Sequence, residues 1–89
     1  MTVIKIPPVL RPEAGNNRTV DVDASSVRDA LDQLVTVYPS LASRIFKDDA
    51  LPTFLNVFVD GEDVRLTGGL ATEVQPGSTI LLLPAVAGG

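Results

Sequence analysis

Only one segment of this chain can form a long helix, so that helix must supply most of the cover for everything else. In "SSVRDALDQLVTVYP", Val27, Ala30, Leu31, Leu34 and Tyr38 fall on one stripe at the helical period. Ser26, followed three residues later by Asp29, resembles a capping box at the start. Pro39 stops the helix, because proline has no N–H to donate and clashes with the preceding turn. The other regular segments are short and β-branched, and most alternate at period two, as strands do. The chain has 89 residues and neither Cys nor His, so no disulfide or thiolate zinc site can staple it. It is read as one small domain held together by a modest hydrophobic core.

The strands follow from the alternation. "TVIKI" places Ile4 and Ile6 on one face. "PPVLRP" is too rich in proline for a central strand and is expected to be a strand edge or an extended exit. "EAGNN" is a turn, and "RTVDVD" a second strand with Val20 and Val22 inward, so the first two strands form a hairpin. After the helix, "SLASRIF" is expected to make a short helical turn whose Leu41, Ile45 and Phe46 plug the core. "LNVFVDGEDVRL" reads as strand, Asp-Gly turn, strand, with Leu55, Val57 and Val59 on one face and Asn56 and Phe58 on the other. "TGGLATEVQPGS" is an irregular connection ending in a Pro-Gly turn. "TILLLP" is the last strand, with Ile80 and Leu82 on one side and Leu81 and Leu83 on the other. The order β-β-α-β-β-β predicts an α+β fold of the β-grasp kind, a mixed sheet of about five strands covered by one main helix. The expected division is a domain over 1–84 and an extended tail over 85–89.

Several chemistries are excluded by composition. Without Cys or His there is no thiol nucleophile and no Ser-His-Asp triad. The acidic residues are scattered, with "DD" at 48–49 and "DGED" at 60–63 as the only clusters. The second is a hairpin turn, and loop acids are usually just solvated, so neither a metal nor a catalytic role is assigned. The expectation is a protein that is not an enzyme in its own right and binds no cofactor of its own. A net charge of −4 and a pI near 4.4 argue against nucleic acid and against anionic membranes. No apolar run approaches the roughly 18 residues of a membrane helix, and the start lacks the basic head of a signal peptide, so the expected location is the cytoplasm.

One helix can cover one sheet face. If Ile4, Ile6, Leu55, Val57, Ile80 and Leu82 face it, Phe58, Leu81 and Leu83 face away. Three large apolar side chains on neighbouring strands make a candidate partner-binding patch. The alternative is that the connecting loops fold over them.

The end of the chain carries the other signal. "LLLPAVAGG" breaks a strand with Pro84 and leaves Ala85, Val86, Ala87, Gly88 and Gly89. Fully extended, such a segment reaches about 17 Å. All of it but Val86 is small and the last two residues lack a Cβ, which suits a narrow channel in another protein. A carboxylate resists nucleophiles until its oxygen becomes a leaving group. Adenylation of Gly89 by an ATP-using partner would open the acyl carbon to sulfur, an amine or an alcohol. A Gly-Gly end is also compatible with a merely loose terminus.

These residues resemble the ubiquitin-like sulfur-carrier family, which includes the small subunit of molybdopterin synthase, the thiamine-pathway sulfur carrier and the carrier that feeds cysteine synthesis. The resemblance covers essentially the whole chain. It is sharpest over "NVFVDGEDVRLTGGLATEVQPGSTILLLPAVAGG" and is supported by "IPPVLRP". "GGLAT" followed by "LPAVAGG" looks more like the cysteine-synthesis carrier than the molybdopterin subunit. The resemblance implies that a ubiquitin-activating-type enzyme adenylates Gly89 and that a sulfur donor converts it to a thiocarboxylate. The sulfur would then pass to an acceptor, a pyridoxal-phosphate cysteine synthase or a thiosugar-forming synthase. In the cysteine branch a zinc metallopeptidase would release the product. ATP, pyridoxal phosphate and zinc would be held by those partners, with Gly88, Ala87, Val86 and Ala85 threading their channels. Two rivals stay open: a modifier joined through Gly89 to lysines of other proteins, and a plain β-grasp binding module.

Overall fold

A computed structural model of the chain describes residues 1–84. Its strands are β1 (Thr2–Lys5), β2 (Thr19–Val22), β3 (Leu55–Val59), β4 (Glu62–Asp63) and β5 (Thr79–Pro84), in the spatial order β2-β1-β5-β3-β4. β1 pairs antiparallel with β2 and parallel with β5, while β3 is antiparallel to both β5 and β4. The mixed five-stranded sheet expected from the β-β-α-β-β-β order is therefore present. The last strand occupies its centre, between the first and the third.

The main helix, α1 (Val27–Val37), follows β2 directly. Ser26, in extended conformation, accepts a hydrogen bond from the Asp29 N–H at 3.1 Å, as an N-cap should. The return half of the box differs from the expectation, since the Asp29 carboxylate accepts from the Ser25 N–H instead of from Ser26. The Ser26 position is already fastened by a β-bridge to Glu73, with Val27 N–H bonding to Thr72 O at 2.9 Å. Val27, Ala30, Leu31 and Leu34 are fully buried against Ile4, Ile6, Leu55, Val57, Ile80 and Leu82. At roughly 1.5–3 kcal/mol for each large aliphatic side chain buried, this stripe is the main source of stability. Tyr38 ends the helix, and Pro39 begins a 3₁₀ turn that leads into a short helix, α2 (Ala42–Ile45). Leu41 and Ile45 plug the core as expected, whereas Phe46 is only half-buried, with the Arg28 guanidinium 5.3 Å above its ring.

Two segments depart from the sequence reading. "PPVLRP" is neither a strand edge nor an extended exit: only Pro7 is extended, and Pro8–Ala14 is a 3₁₀ helix. The fixed φ of proline suits the first turn of a helix as well as it suits extended chain. Burial of Leu10 and Ala14 in the common core selects the helical alternative. Gly15 closes this turn at φ 64°, a left-handed conformation where a Cβ would also come within 3.3 Å of the Tyr38 ring.

The second departure is "EDVRL", of which only Glu62–Asp63 is strand. The Asp60-Gly61 turn forms as read, both residues having positive φ. Beyond it the Asp63 carboxylate accepts from the Arg65 N–H at 2.9 Å and winds Val64–Leu66 into a 3₁₀ turn. That turn sends Val64 into the core. It also lets the Arg65 guanidinium donate to Pro52 O, Leu55 O and Asn56 Oδ1.

Candidate functional site

The sheet face turned away from α1 carries a row set by strand register. Thr19 pairs with Lys5, Lys5 with Leu81, Leu81 with Phe58, and Phe58 with Asp63. One step along the sheet Leu83 pairs with Asn56, and at its far end Pro84 pairs with Leu55. Phe58 and Leu81 are half-buried and Leu83 is 43% exposed, while their strand neighbours Val57, Ile80 and Leu82 are fully buried on the opposite face. The structure thus brings Phe58, Leu81 and Leu83 together, and no described segment folds over them.

Two shallow grooves flank this row and share Lys5, Leu81 and Leu83. The first, about 360 Å³, lies over Phe58, Asp60, Gly61 and Thr79. Asp60 is not free to act there as a base, because its Oδ1 accepts from the Thr79 N–H at 2.9 Å and braces the hairpin turn. The second groove, about 320 Å³, runs toward Pro7 and Pro8 and is rimmed by Lys5, Arg11 and Arg18. These cations were not singled out from the sequence. Lys5 had a legible signal, since it lies between the inward Ile4 and Ile6. Arg11 and Arg18 reach the groove only through the fold of the 3₁₀ segment.

Among the described residues no group of His, Cys, Asp and Glu could hold a metal ion, and no helix is long and apolar enough to cross a membrane. The one resolved shift in ionisation is on the other side of the molecule. The Asp49 hydrogen bond and charge raise the Arg28 pKa further above its ordinary value, and Asp32 adds to the effect. A guanidinium so held is a permanent cation and no proton donor. The open face therefore offers shape, apolar surface and a cationic groove. The residues assigned to the tail, Ala85, Val86, Ala87, Gly88 and Gly89, lie outside the described residues.

Residues 4–89 match the ThiS family. The chain belongs to that family, the ubiquitin-like sulfur carriers. It is 35% identical to the sulfur carrier protein CysO of Mycobacterium tuberculosis over 97% of this chain and 96% of that relative. It is 43% identical to small archaeal modifier protein 1 of Haloferax volcanii over 86% of this chain and 88% of that one. Among solved structures, it superposes on a chain of the Amycolatopsis orientalis BexX/CysO complex with a TM-score of 0.94 at 37% identity, covering 100% of this chain and 100% of that one. The β-grasp fold and the family resemblance read from the sequence are both borne out.

Proposed function

We propose that this protein carries sulfur as a thiocarboxylate on Gly89. The observation that supports this best is the family match, which extends through residue 89, on a domain whose central strand β5 ends beside an uncovered apolar face. A Gly89 carboxylate oxygen attacks the α-phosphorus of ATP in a ubiquitin-activating-type enzyme, releasing pyrophosphate and forming an acyl adenylate. A sulfide-level sulfur nucleophile then displaces AMP, leaving the carbonyl bonded to sulfur. Glycine suits this position because no side chain blocks approach to the carbonyl carbon. Phe58, Leu81 and Leu83 dock the domain on its partners, and residues 85–88 reach from Pro84 into their active sites. The protein acts as co-substrate: ATP, the pyridoxal phosphate of a cysteine synthase and the zinc of a releasing metallopeptidase belong to partners. Similarity to CysO favours delivery of the sulfur to cysteine synthesis or to a related acceptor such as a thiosugar synthase.

The test is the intact mass of protein purified from its own host with its C-terminus untouched. A species heavier by sulfur minus oxygen, absent when Gly88-Gly89 are deleted, supports the carrier. A species heavier by one cysteine residue identifies the cysteine branch. Normal sulfur loading of the truncated protein would falsify the assignment to Gly89. The archaeal modifier similarity supports a second reading, conjugation of Gly89 to lysines of other proteins. Isopeptide-linked ladders in lysate, dependent on Gly89, would favour that reading.

A further inference from the structure

The groove beside Leu83 holds an unexpected charge for an acidic protein. The chain carries a net −4, yet Lys5, Arg11 and Arg18, three of its seven basic residues, line this groove and no acid does. Arg11 is partly committed, donating from Nε to Ile6 O at 3.1 Å. Lys5 and Arg18 make no ion pair among the described residues, whereas Arg28 and Arg44 on other surfaces are paired with Asp32, Asp49 and Glu13. Of the acids on this face, Asp21 on β2 stands exposed opposite Val3, outside the groove lining, and two others are engaged. Asp60 and Asp63 each accept a backbone N–H, from Thr79 and Arg65, and so brace the β3–β4 hairpin. The groove on the β1–β2 side therefore presents cations to a visitor, with Asp21 outside its lining, while the hairpin carboxylates are engaged.

Resting on the sulfur-carrier reading, we propose that Lys5 and Arg18 are the orienting half of the docking surface. Their partner is an adenylating enzyme whose docking surface surrounds an apolar centre with carboxylates. Leu81 and Leu83 supply contact area, which is nearly indifferent to rotation about the interface. A cationic rim on one side only removes that freedom, because the wrong rotation leaves the cations without partners. Since the rim adjoins Leu83, just before Pro84, the selected rotation also fixes where the chain beyond Pro84 is aimed. Long-range attraction would act at encounter, so its signature is a salt-dependent association rate.

The experiment measures ATP–pyrophosphate exchange by the host adenylating enzyme, purified by following exchange that depends on this protein, with the carrier as varied substrate. Lys5→Glu combined with Arg18→Glu should raise the KM about tenfold at low ionic strength, with kcat little changed. The gap between variant and wild type should shrink as salt is added. Lys5→Arg with Arg18→Lys should keep the wild-type KM, and Lys47→Glu, on the loop after α2, should change it less than twofold. Urea unfolding of each variant separates docking from folding. Equal effects of Lys47→Glu and Lys5→Glu would reduce the rim to net charge and overturn the proposal. So would an unchanged KM in the double variant, or a stable homodimer in sedimentation that Lys5→Glu dissolves. If the wild-type protein supports no exchange with any host fraction, the sulfur-carrier reading itself fails, an outcome distinct from any of these.

Discussion

Leu82 and Leu83 are neighbours on β5 with the same side chain, yet the first is fully buried beneath α1 and the second is 43% exposed on the open face. The helix-covered face is built for stability: every large side chain there is shared between strand and helix. The open face is left available: its apolar residues lie along the register row, Phe58 and Leu81 half-buried and Leu83 exposed. A fold with one helix for a five-stranded sheet cannot treat both faces alike. On the docking surface proposed above, stability and partner binding reside on opposite sides of the same strands.

The contrast can be broken most directly at that pair. Leu82→Ala should cost about 2–5 kcal/mol in urea unfolding, the range for a buried leucine that leaves a cavity. A cost below about 1 kcal/mol would mean that the helix-covered face is not close-packed. Arg65→Ala comes next. It removes charged donors from Pro52 O, Leu55 O and Asn56 Oδ1, at a surface position where the cost should be about 1–2 kcal/mol. Amide exchange over Val64–Leu66 should accelerate before global unfolding, which would show that the rim beside β3 is held separately from the core. Ser26→Ala, on the helix side, should lose about 1 kcal/mol, or roughly 5 °C in Tm, while Ser26→Asp retains stability by capping the same N–H groups. Phe58→Ser with Leu83→Ser should cost no more than these, about 1 kcal/mol, because Phe58 is only half-buried and Leu83 is exposed. The same pair should produce the largest loss in partner association, read by calorimetry or by the KM for activation. Failure of this double variant to fold would erase the distinction between the two faces.

Much of this organisation was legible because it rests on local periodicity. Alternation at Ile80-Leu81-Leu82-Leu83 and at Leu55–Val59 assigned each residue to its face, and the stripe from Val27 to Leu34 identified the covering helix. The Asp60-Gly61 turn was legible because few other residue pairs accept positive φ at both positions. The 3₁₀ helix at Pro8–Ala14 was not, since proline's φ is common to extended and helical chain and the choice depends on burial of Leu10. Nor was the early end of β4, which depends on a side chain, Asp63, capturing a neighbouring N–H. The cationic rim was missed for a related reason, that Lys5, Arg18 and Leu83 are far apart in sequence.

By itself, then, the sequence determined where the strands lie outside the Pro8–Ala14 and Val64–Leu66 turns, which segment is the main helix, which side chains point together and which residue chemistries are absent. Those properties depend on residues two to four positions apart, within reach of backbone geometry alone. Only the tertiary structure decided that β5 enters between β1 and β3, that Arg65 ties Pro52, Leu55 and Asn56 together, and that Lys5 and Arg18 stand beside Leu83. Such placements arise when distant segments close on a common core, where the gain from burying Ile80 and Leu82 between neighbouring strands and α1 outweighs the entropy of bringing the ends of the chain together.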